Sequence, residues 1–233
     1  MRAILLAAGL GTRLRPLTDT VPKCLVPVGG EALLDTWLRR LAQAGVDRVL
    51  VNLHHLADVV RRHVAESPWA DLVELVDEPV LLGTAGTLVA NKPFLRGGDA
   101  LLVHADNWCT ASLDAFVSAH RARPAGCTMT MMTFETRHPR ECGIVTTDAR
   151  GVMVAFDEKP ANPSGTTANA AIYALSPDLY GPLDGVSDFS TEVVARSPGR
   201  VFTWPSDGDL VDIGTPERYG ALQARLAGGS GSP

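Results

Sequence analysis

The chain is short of cysteine, of net positive charge and of long apolar runs, and each shortage closes off a class of function. Its 233 residues contain only four cysteines, Cys24, Cys109, Cys127 and Cys142, scattered and with no Cys-x-x-Cys pair. That spacing provides no cysteine–histidine zinc set, and reduced thiols in a cytoplasmic protein are the simplest expectation. Lys and Arg number 21 against 26 Asp and Glu, a formal net charge of −5, so a general nucleic-acid surface is not expected. No apolar run approaches a membrane span, and Met1-Arg2 leads into too short an apolar stretch for a secretory leader. There is no Gly-x-Ser-x-Gly, no His-Glu-x-x-His and no internal repeat, which leaves hydrolase and zinc-peptidase readings without a foothold.

What is present is an ordinary globular composition, 45% hydrophobic and 20% charged, long enough for one large α/β domain with a sizeable core. Strands are expected over 2–8, 48–53, 72–76 and 100–104. Between them lie helical patterns over 31–44 (Leu34, Trp37, Leu38 and Leu41, stopped by Gly45), 56–64, 85–91 and 113–120. Repeated βα units predict a doubly wound, mostly parallel mixed sheet, Rossmann-like, with helices on both faces. The second half changes rhythm. Short strands are expected over 128–134, 143–147, 152–157, 167–174 and 200–204, with Asp148-Ala-Arg-Gly151 as a hairpin turn. This smaller β portion belongs to the same domain, residues 1–226, since no linker divides the halves. The last helix is expected over 216–226, and residues 227–233 read as a flexible tail.

The first thirty residues carry most of the chemistry. An apolar strand breaks at Gly9-Leu-Gly-Thr-Arg13, with Arg15, Pro22 and Lys23 close behind. Glycines let a backbone approach phosphate, exposed N–H groups donate to its oxygens, and Arg13, Arg15 and Lys23 supply countercharge. The loop is neither a Walker loop nor a dinucleotide fingerprint, which would require glycine where Leu14 stands. A bare Gly-x-Gly is weak by itself and an ordinary βα turn is the bland alternative; the attached cations favour phosphate. The segment holding Arg13 and Lys23 is expected to face solvent.

The string Leu6-Ala-Ala-Gly-Leu-Gly-Thr-Arg-Leu-Arg-Pro-Leu-Thr18, followed by Pro22-Lys-Cys-Leu-Val-Pro-Val28, resembles the amino-terminal signature of sugar-1-phosphate nucleotidyltransferases. The resemblance continues through Leu82-Gly-Thr-Ala-Gly86, Asp106, Phe156-Asp-Glu-Lys-Pro160, Asn169-Ala-Ala-Ile-Tyr173 and Asp212-Ile-Gly-Thr-Pro216, nearly the whole chain. It implies that Leu6, Ala8, Gly9, Gly11, Thr12 and Arg13 face a nucleotide, together with Glu78, Gly83, Thr84 and Ala85. It implies Mg²⁺ on Asp106 and Asp212, catalytic roles for Arg13, Lys23 and both aspartates, and sugar contacts from Gly143, Glu158, Lys159 and Asn169.

Each position also has a plainer reading. Asp106 follows a strand, where ligands of open sheets bind, and on its own is as well explained by capping or a solvated turn. Asp212 could be a turn aspartate. Two hard carboxylates suit Mg²⁺, which keeps several waters. Relatives usually carry Gly-Asp where this chain has His104-Ala-Asp-Asn107; His104 is better explained by a structural hydrogen bond than as a ligand. Glu158 and Lys159 could be a solvated strand end, and Asn169 a turn former, although its amide can serve a hydroxyl pair. Cys142, where relatives often have Tyr, reads as a small apolar filler. Gly83-Thr-Ala-Gly86 opens a short helix, where close approach by a base or ribose competes with plain packing. Glu78 before that helix resembles the guanylyltransferase branch, since a carboxylate accepts from guanine N1–H and N2–H₂ together.

The resemblance therefore implies an enzyme that joins a nucleoside triphosphate to a sugar 1-phosphate with Mg²⁺, of GDP-mannose or GDP-heptose type. Uridylyl or cytidylyl transfer is the alternative, and a regulator that binds a nucleotide sugar without turnover is another. No nucleic acid or membrane partner is expected, and a homo-oligomer is left open. No left-handed β-helix follows, so no attached acetyltransferase or allosteric module is expected.

Overall fold

The structure, a computed structural model, describes residues 1–229. Its strands are β1 (Arg2–Leu6), β2 (Pro27–Val28), β3 (Glu31–Ala32), β4 (Arg48–Leu53), β5 (Val73–Asp77), β6 (Ala100–His104), β7 (Asn107–Cys109), β8 (Met129–Glu135), β9 (Gly143–Thr147), β10 (Met153–Glu158), β11 (Thr167–Leu175), β12 (Val201–Pro205) and β13 (Leu210–Asp212). Its helices are α1 (Leu33–Gln43), α2 (Ala57–Glu66), α3 (Gly83–Ala90), α4 (Leu113–Arg121) and α5 (Pro216–Gly229). Nine strands form one mixed sheet in the order β10-β9-β11-β6-β1-β4-β5, with β8 paired to β11 and β12. The pairs β4/β5 and β8/β12 are parallel, whereas β11 runs antiparallel to β6, β8 and β9. This is the α/β class that the alternating apolar segments predict.

The chain divides into two compact units interleaved in sequence. One comprises Met1–Ile4, Leu82–Val103 and Ser112–Asp207. Its core is built on β8 and β11, whose Met129, Met131, Ile172, Tyr173, Ala174 and Leu175 are fully buried. Helix α4 starts where the Ser112 side chain accepts from the Ala115 N–H at 3.1 Å, satisfying a donor that the first turn leaves open. Its Leu113, Phe116, Val117 and His120 recur at helical spacing and all face inward. The β9–β10 hairpin turns as expected: Asp148 Oδ1 accepts from the N–H groups of Arg150 and Val152, and Gly151 takes a positive φ of 74°.

The other unit comprises Leu5–Leu81, His104–Ala111 and the segment from Gly208 on. Helix α1 buries Leu33, Leu34, Trp37, Leu38 and Leu41, and Gly45 in the left-handed region ends it. Strand β4 is buried from Val49 to Leu53, the pattern of a strand covered on both faces. Two short ribbons, β2/β3 and β7/β13, complete the unit. Helix α5 extends past the expected end at 226, and residues 230–233 of the anticipated tail lie outside the described residues. Among the described residues no helix is long and apolar enough to cross a membrane.

Candidate functional site

The end of β1 is tied down on two sides. The Leu6 carbonyl accepts from Ala105 N at 3.0 Å, and the Ala7 N–H donates to Asn52 Oδ1 at 2.7 Å. These bonds place the glycine loop and Asp106 at the same end of their strands, as the sequence predicts. Gly11 has φ +63°, and a Cβ there would lie 2.9 Å from Thr18 Cγ2, while the Thr18 hydroxyl donates to the Gly11 carbonyl. The loop conformation therefore requires glycine at this position. Gly9 differs: an added Cβ would meet nothing within 4 Å, so the protein's own packing does not demand glycine there. The 3₁₀ turn Thr12–Leu14 buries Leu14 and leaves Thr12 and Arg13 exposed.

The antiparallel ribbon β7/β13 sets Asp212 opposite Asn107, and Ile213 N donates to the Asp106 carbonyl. The two carboxylates meet at one lysine: Lys23 Nζ lies 2.6 Å from Asp106 Oδ2 and 3.7 Å from Asp212 Oδ1. Arg218 Nη1 holds Asp212 Oδ2 at 3.1 Å. Gly214 completes the cluster, since a Cβ there would come within 2.8 Å of Asp212 Oδ1 and 2.9 Å of Arg13 Nη2. The ends of the Arg13 and Asp212 side chains thus both lie over Gly214. Burial pushes the Asp106 carboxyl up, but the Lys23 ammonium and His104 outweigh it and hold the group below its usual range. The expectation that Lys23 faces solvent is corrected: it is 8% exposed, because its stem packs in the interior while its ammonium serves the aspartates.

The donor set fits a divalent cation with few protein ligands. Asp212 Oδ1 is buried without a hydrogen-bond partner among the described residues, and Lys23 already stands as a cation between the two carboxylates. No group of three or more His, Cys, Asp or Glu converges among the described residues. A metal here would take two carboxylates and complete its shell from water and phosphate oxygens, the habit of Mg²⁺.

Glu78 is almost fully buried. Its Oε1 accepts from Asn52 Nδ2 at 3.0 Å, and its carbonyl meets His54 Nδ1 at 2.7 Å. Asn52 thus links the backbone at the end of β1 to the Glu78 carboxylate. Asn52 is not among the residues expected at the site, although a single amide inside the apolar run Arg48–Leu53 is a usable signal, because a buried amide needs partners.

The sugar-side candidates and the first turn of α3 belong to the other unit. Gly143 pairs with Glu158 across β9 and β10. A Cβ on Gly143 would lie 2.5 Å from Phe156 Cζ and 2.8 Å from Glu158 Oε2, so internal packing alone already calls for this glycine. Burial raises the Glu158 carboxyl above its usual range; Lys159, with Nζ 3.7 Å away, offsets this in part, and Asp188 adds to it. Lys159 has a positive φ of 47° and an exposed side chain. Asn169 is committed at both ends of its amide: Nδ2 donates to the Tyr173 hydroxyl at 2.6 Å, and Oδ1 accepts from Ala171 N at 2.9 Å. It shapes the irregularity where β11 slips register against β8. Cys142 Sγ lies 3.6 Å from the Thr136 hydroxyl, and among the described residues none of the four cysteines forms a disulfide.

At α3, Ser187 O accepts from both Ala85 N and Gly86 N, and Thr84 Oγ1 accepts from Phe189 N at 2.8 Å. Gly83, at φ +80°, would drive a Cβ to 2.4 Å from Ser187 O. The donors of this helix terminus are thus partly taken by the chain itself, and Gly83 is explained by packing against Ser187.

The fold is that of the Rossmann-like α/β class. Within that class the chain belongs to the nucleotidyl transferase family, whose profile matches residues 2–192. A Sulfolobus acidocaldarius relative named for mannose-1-phosphate guanyl transfer is 32% identical over 228 residues, covering 96% of this chain and 62% of its own. The mannose-1-phosphate guanylyltransferase of Mycobacterium tuberculosis is 29% identical, over 97% of this chain and 65% of its own. The chain therefore spans less than two thirds of these two relatives. The N-acetylmuramate alpha-1-phosphate uridylyltransferase of Caulobacter vibrioides is 33% identical, over 97% of this chain and 96% of its own. Among solved structures, apo UDP-glucose pyrophosphorylase superimposes with a TM-score of 0.82 at 16% identity, over 98% of both chains. HddC from Yersinia pseudotuberculosis does so with a TM-score of 0.78 at 23% identity, over 97% of this chain and 99% of its own. At such identities these two structures speak to the fold.

Proposed function

We propose that this chain transfers a nucleotidyl group from a nucleoside triphosphate to a sugar 1-phosphate and releases pyrophosphate. The observation that carries this reading is the cluster at the glycine loop: Lys23 between Asp106 and Asp212, with the end of the Arg13 side chain over Gly214 beside Asp212. A sugar phosphate oxygen attacks the α-phosphorus in line, the bond to the β-phosphate bridging oxygen breaks, and pyrophosphate leaves. No covalent enzyme intermediate is needed; the work is positioning and charge neutralisation. Asp106 and Asp212 would hold Mg²⁺, which supplies countercharge to the phosphates when bound. Arg13, exposed on its turn, steadies the departing pyrophosphate. Lys23 orients the carboxylates and faces the α-phosphate. Glu158, Lys159, Gly143 and Asn169 serve the sugar. A regulator without turnover would have no use for so complete a charged cluster.

For the donor base we propose guanine, read by Glu78, in line with the names of the Sulfolobus and Mycobacterium relatives. A second reading, uridylyl transfer, is favoured by the Caulobacter relative, which matches end to end, and by the prior engagement of Glu78 with Asn52. Pyrophosphate release with GTP, UTP, CTP, ATP and dTTP, each against a panel of sugar 1-phosphates, separates these. Release with any pair supports nucleotidyl transfer. A preference for UTP or CTP overturns the guanine reading alone, and no release with any pair overturns the reaction.

A further inference from the structure

The C-terminal end of α4 and the start of β8 enclose a cleft of about 540 Å³, within the size range of small-molecule sites. Arg121, Arg123 and Arg200 line it, against a single acid, Asp178. In a chain with more acids than bases, this is a local excess of positive charge in a concave place. The three guanidiniums are differently prepared. Arg123 is fixed by donating from Nε to the Cys127 carbonyl at 2.8 Å and from Nη1 to the His120 carbonyl at 2.7 Å. Arg121 and Arg200 are exposed, and their side chains have no hydrogen bond or ion pair among the described residues. Asp178 forms no ion pair with any of the three.

The floor is also prepared. Thr128 N donates to the Arg200 carbonyl at 2.9 Å, which fixes these two residues side by side. The Thr128 hydroxyl, on a residue 5% exposed, has no hydrogen-bond partner among the described residues. A buried hydroxyl left unpaired costs free energy, and such groups are satisfied by an ordered water or a ligand. Gly126, at φ +89° with nothing within 4 Å of an added Cβ, leaves the rim open.

We infer that this arginine cleft is a second binding site, for the phosphate-bearing end of a small metabolite. Guanidinium groups recognise phosphate through paired N–H donors, and here one is pinned and two are free to close on the anion. The site is separate from the sugar-side candidates of the same unit. Strand β8 begins at the cleft, whereas Asn169 pairs with Thr133, roughly 13 Å along the strand at about 3.3 Å per residue. The inference does not depend on the proposed reaction, because none of the lining residues takes part in it.

The test is titration calorimetry of the folded protein with inorganic pyrophosphate, GDP and UDP. It compares the wild type, Arg13→Ala and Arg121→Gln/Arg200→Gln. The expected result is a binding event that survives Arg13→Ala and weakens tenfold or more in the double variant, while pyrophosphate release at saturating substrates persists. Tighter binding of a nucleoside diphosphate than of pyrophosphate would identify a nucleotide occupant; equal binding would identify a bare polyphosphate. Isotherms unchanged in the double variant for all three probes, or binding lost wholly with Arg13→Ala, overturn the inference. Should the double variant not fold, the single variants Arg121→Gln and Arg200→Gln give the same reading.

Discussion

Lys23 places its ammonium 2.6 Å from Asp106, and it does so from a nearly covered position while the aspartate side chain remains 38% exposed. The lysine is thus the fixed partner and the carboxylates the accessible ones. Removing it by Lys23→Ala leaves Asp106 and Asp212 facing each other without their shared cation. The expected loss is about 1–3 kcal/mol, less than for a fully buried pair because both aspartates reach solvent. Millimolar Mg²⁺ should restore part of the melting temperature of this variant, and NaCl at matched ionic strength should not. Equal recovery in both salts would remove the case for a cation site here.

The aspartates should be needed for turnover rather than for folding. Asp106→Asn and Asp212→Asn keep shape and remove charge. Each is expected to lower the rate of pyrophosphate release on the order of a hundredfold or more, the scale of losing a principal electrostatic stabiliser, with circular dichroism unchanged. Near-normal rates in a folded variant would refute their assignment.

The fold was readable wherever residues repeat with a period. Strands β4 and β9 fall where the apolar runs put them, and α1 and α4 follow their Leu, Trp and Phe spacings. Of the short ribbon β7/β13, Leu210-Val-Asp212 is strand-like in sequence, as the structure has it, but its partner Asn107–Cys109 was not readable, because so short a strand has no periodicity and only pairing with a distant segment defines it. That ribbon joins Asp106 to Asp212, so the sequence named both residues without showing how they meet. Glycines misled in an instructive way. Gly143 and Gly83 look like open approaches for a ligand, yet Phe156 and Ser187 occupy the space a Cβ would need. Asn52 escaped notice because its role depends on Ala7 and Glu78, neither of which is near it in sequence.

Asn52 gives a third expectation. Replacing it by Leu removes the acceptor of the part-buried Ala7 N–H and one donor to the buried Glu78 carboxylate. The cost should be about 2–3 kcal/mol. In kinetics the nucleotide KM should rise more than the sugar phosphate KM, because both partners lie on the nucleotide side of the proposed site. An equal rise in both would assign Asn52 to scaffolding alone.

Glu158 supports the complementary split. Its carboxylate lies over Gly143 on the proposed sugar side, so Glu158→Gln should raise the sugar phosphate KM several-fold with the nucleotide KM nearly unchanged. This follows from the loss of a strong acceptor for a hydroxyl. The opposite ranking would move Glu158 to the nucleotide.

His120 sets a pH limit that has nothing to do with substrate. It is fully buried on α4, with Nδ1 2.9 Å from the Thr130 hydroxyl and Nε2 3.9 Å from Asp99. Burial, aided by the positive charge of Arg123 and Arg121 and opposed by Asp99, lowers its pKa from 6.5 to about 4. The folded state therefore favours the neutral ring, while the unfolded chain takes up a proton at higher pH. Stability from this residue is complete above about pH 6.5 and is lost as pH falls toward 4, up to about 3 kcal/mol from 1.36 kcal/mol per pH unit. Urea denaturation between pH 7.5 and 4.5 should show this decline in the wild type and a flatter profile in His120→Asn, whose amide can still meet Thr130 but cannot gain the charge. Parallel profiles would mean that other groups govern acid stability and that His120 titrates alike in the folded and unfolded chain.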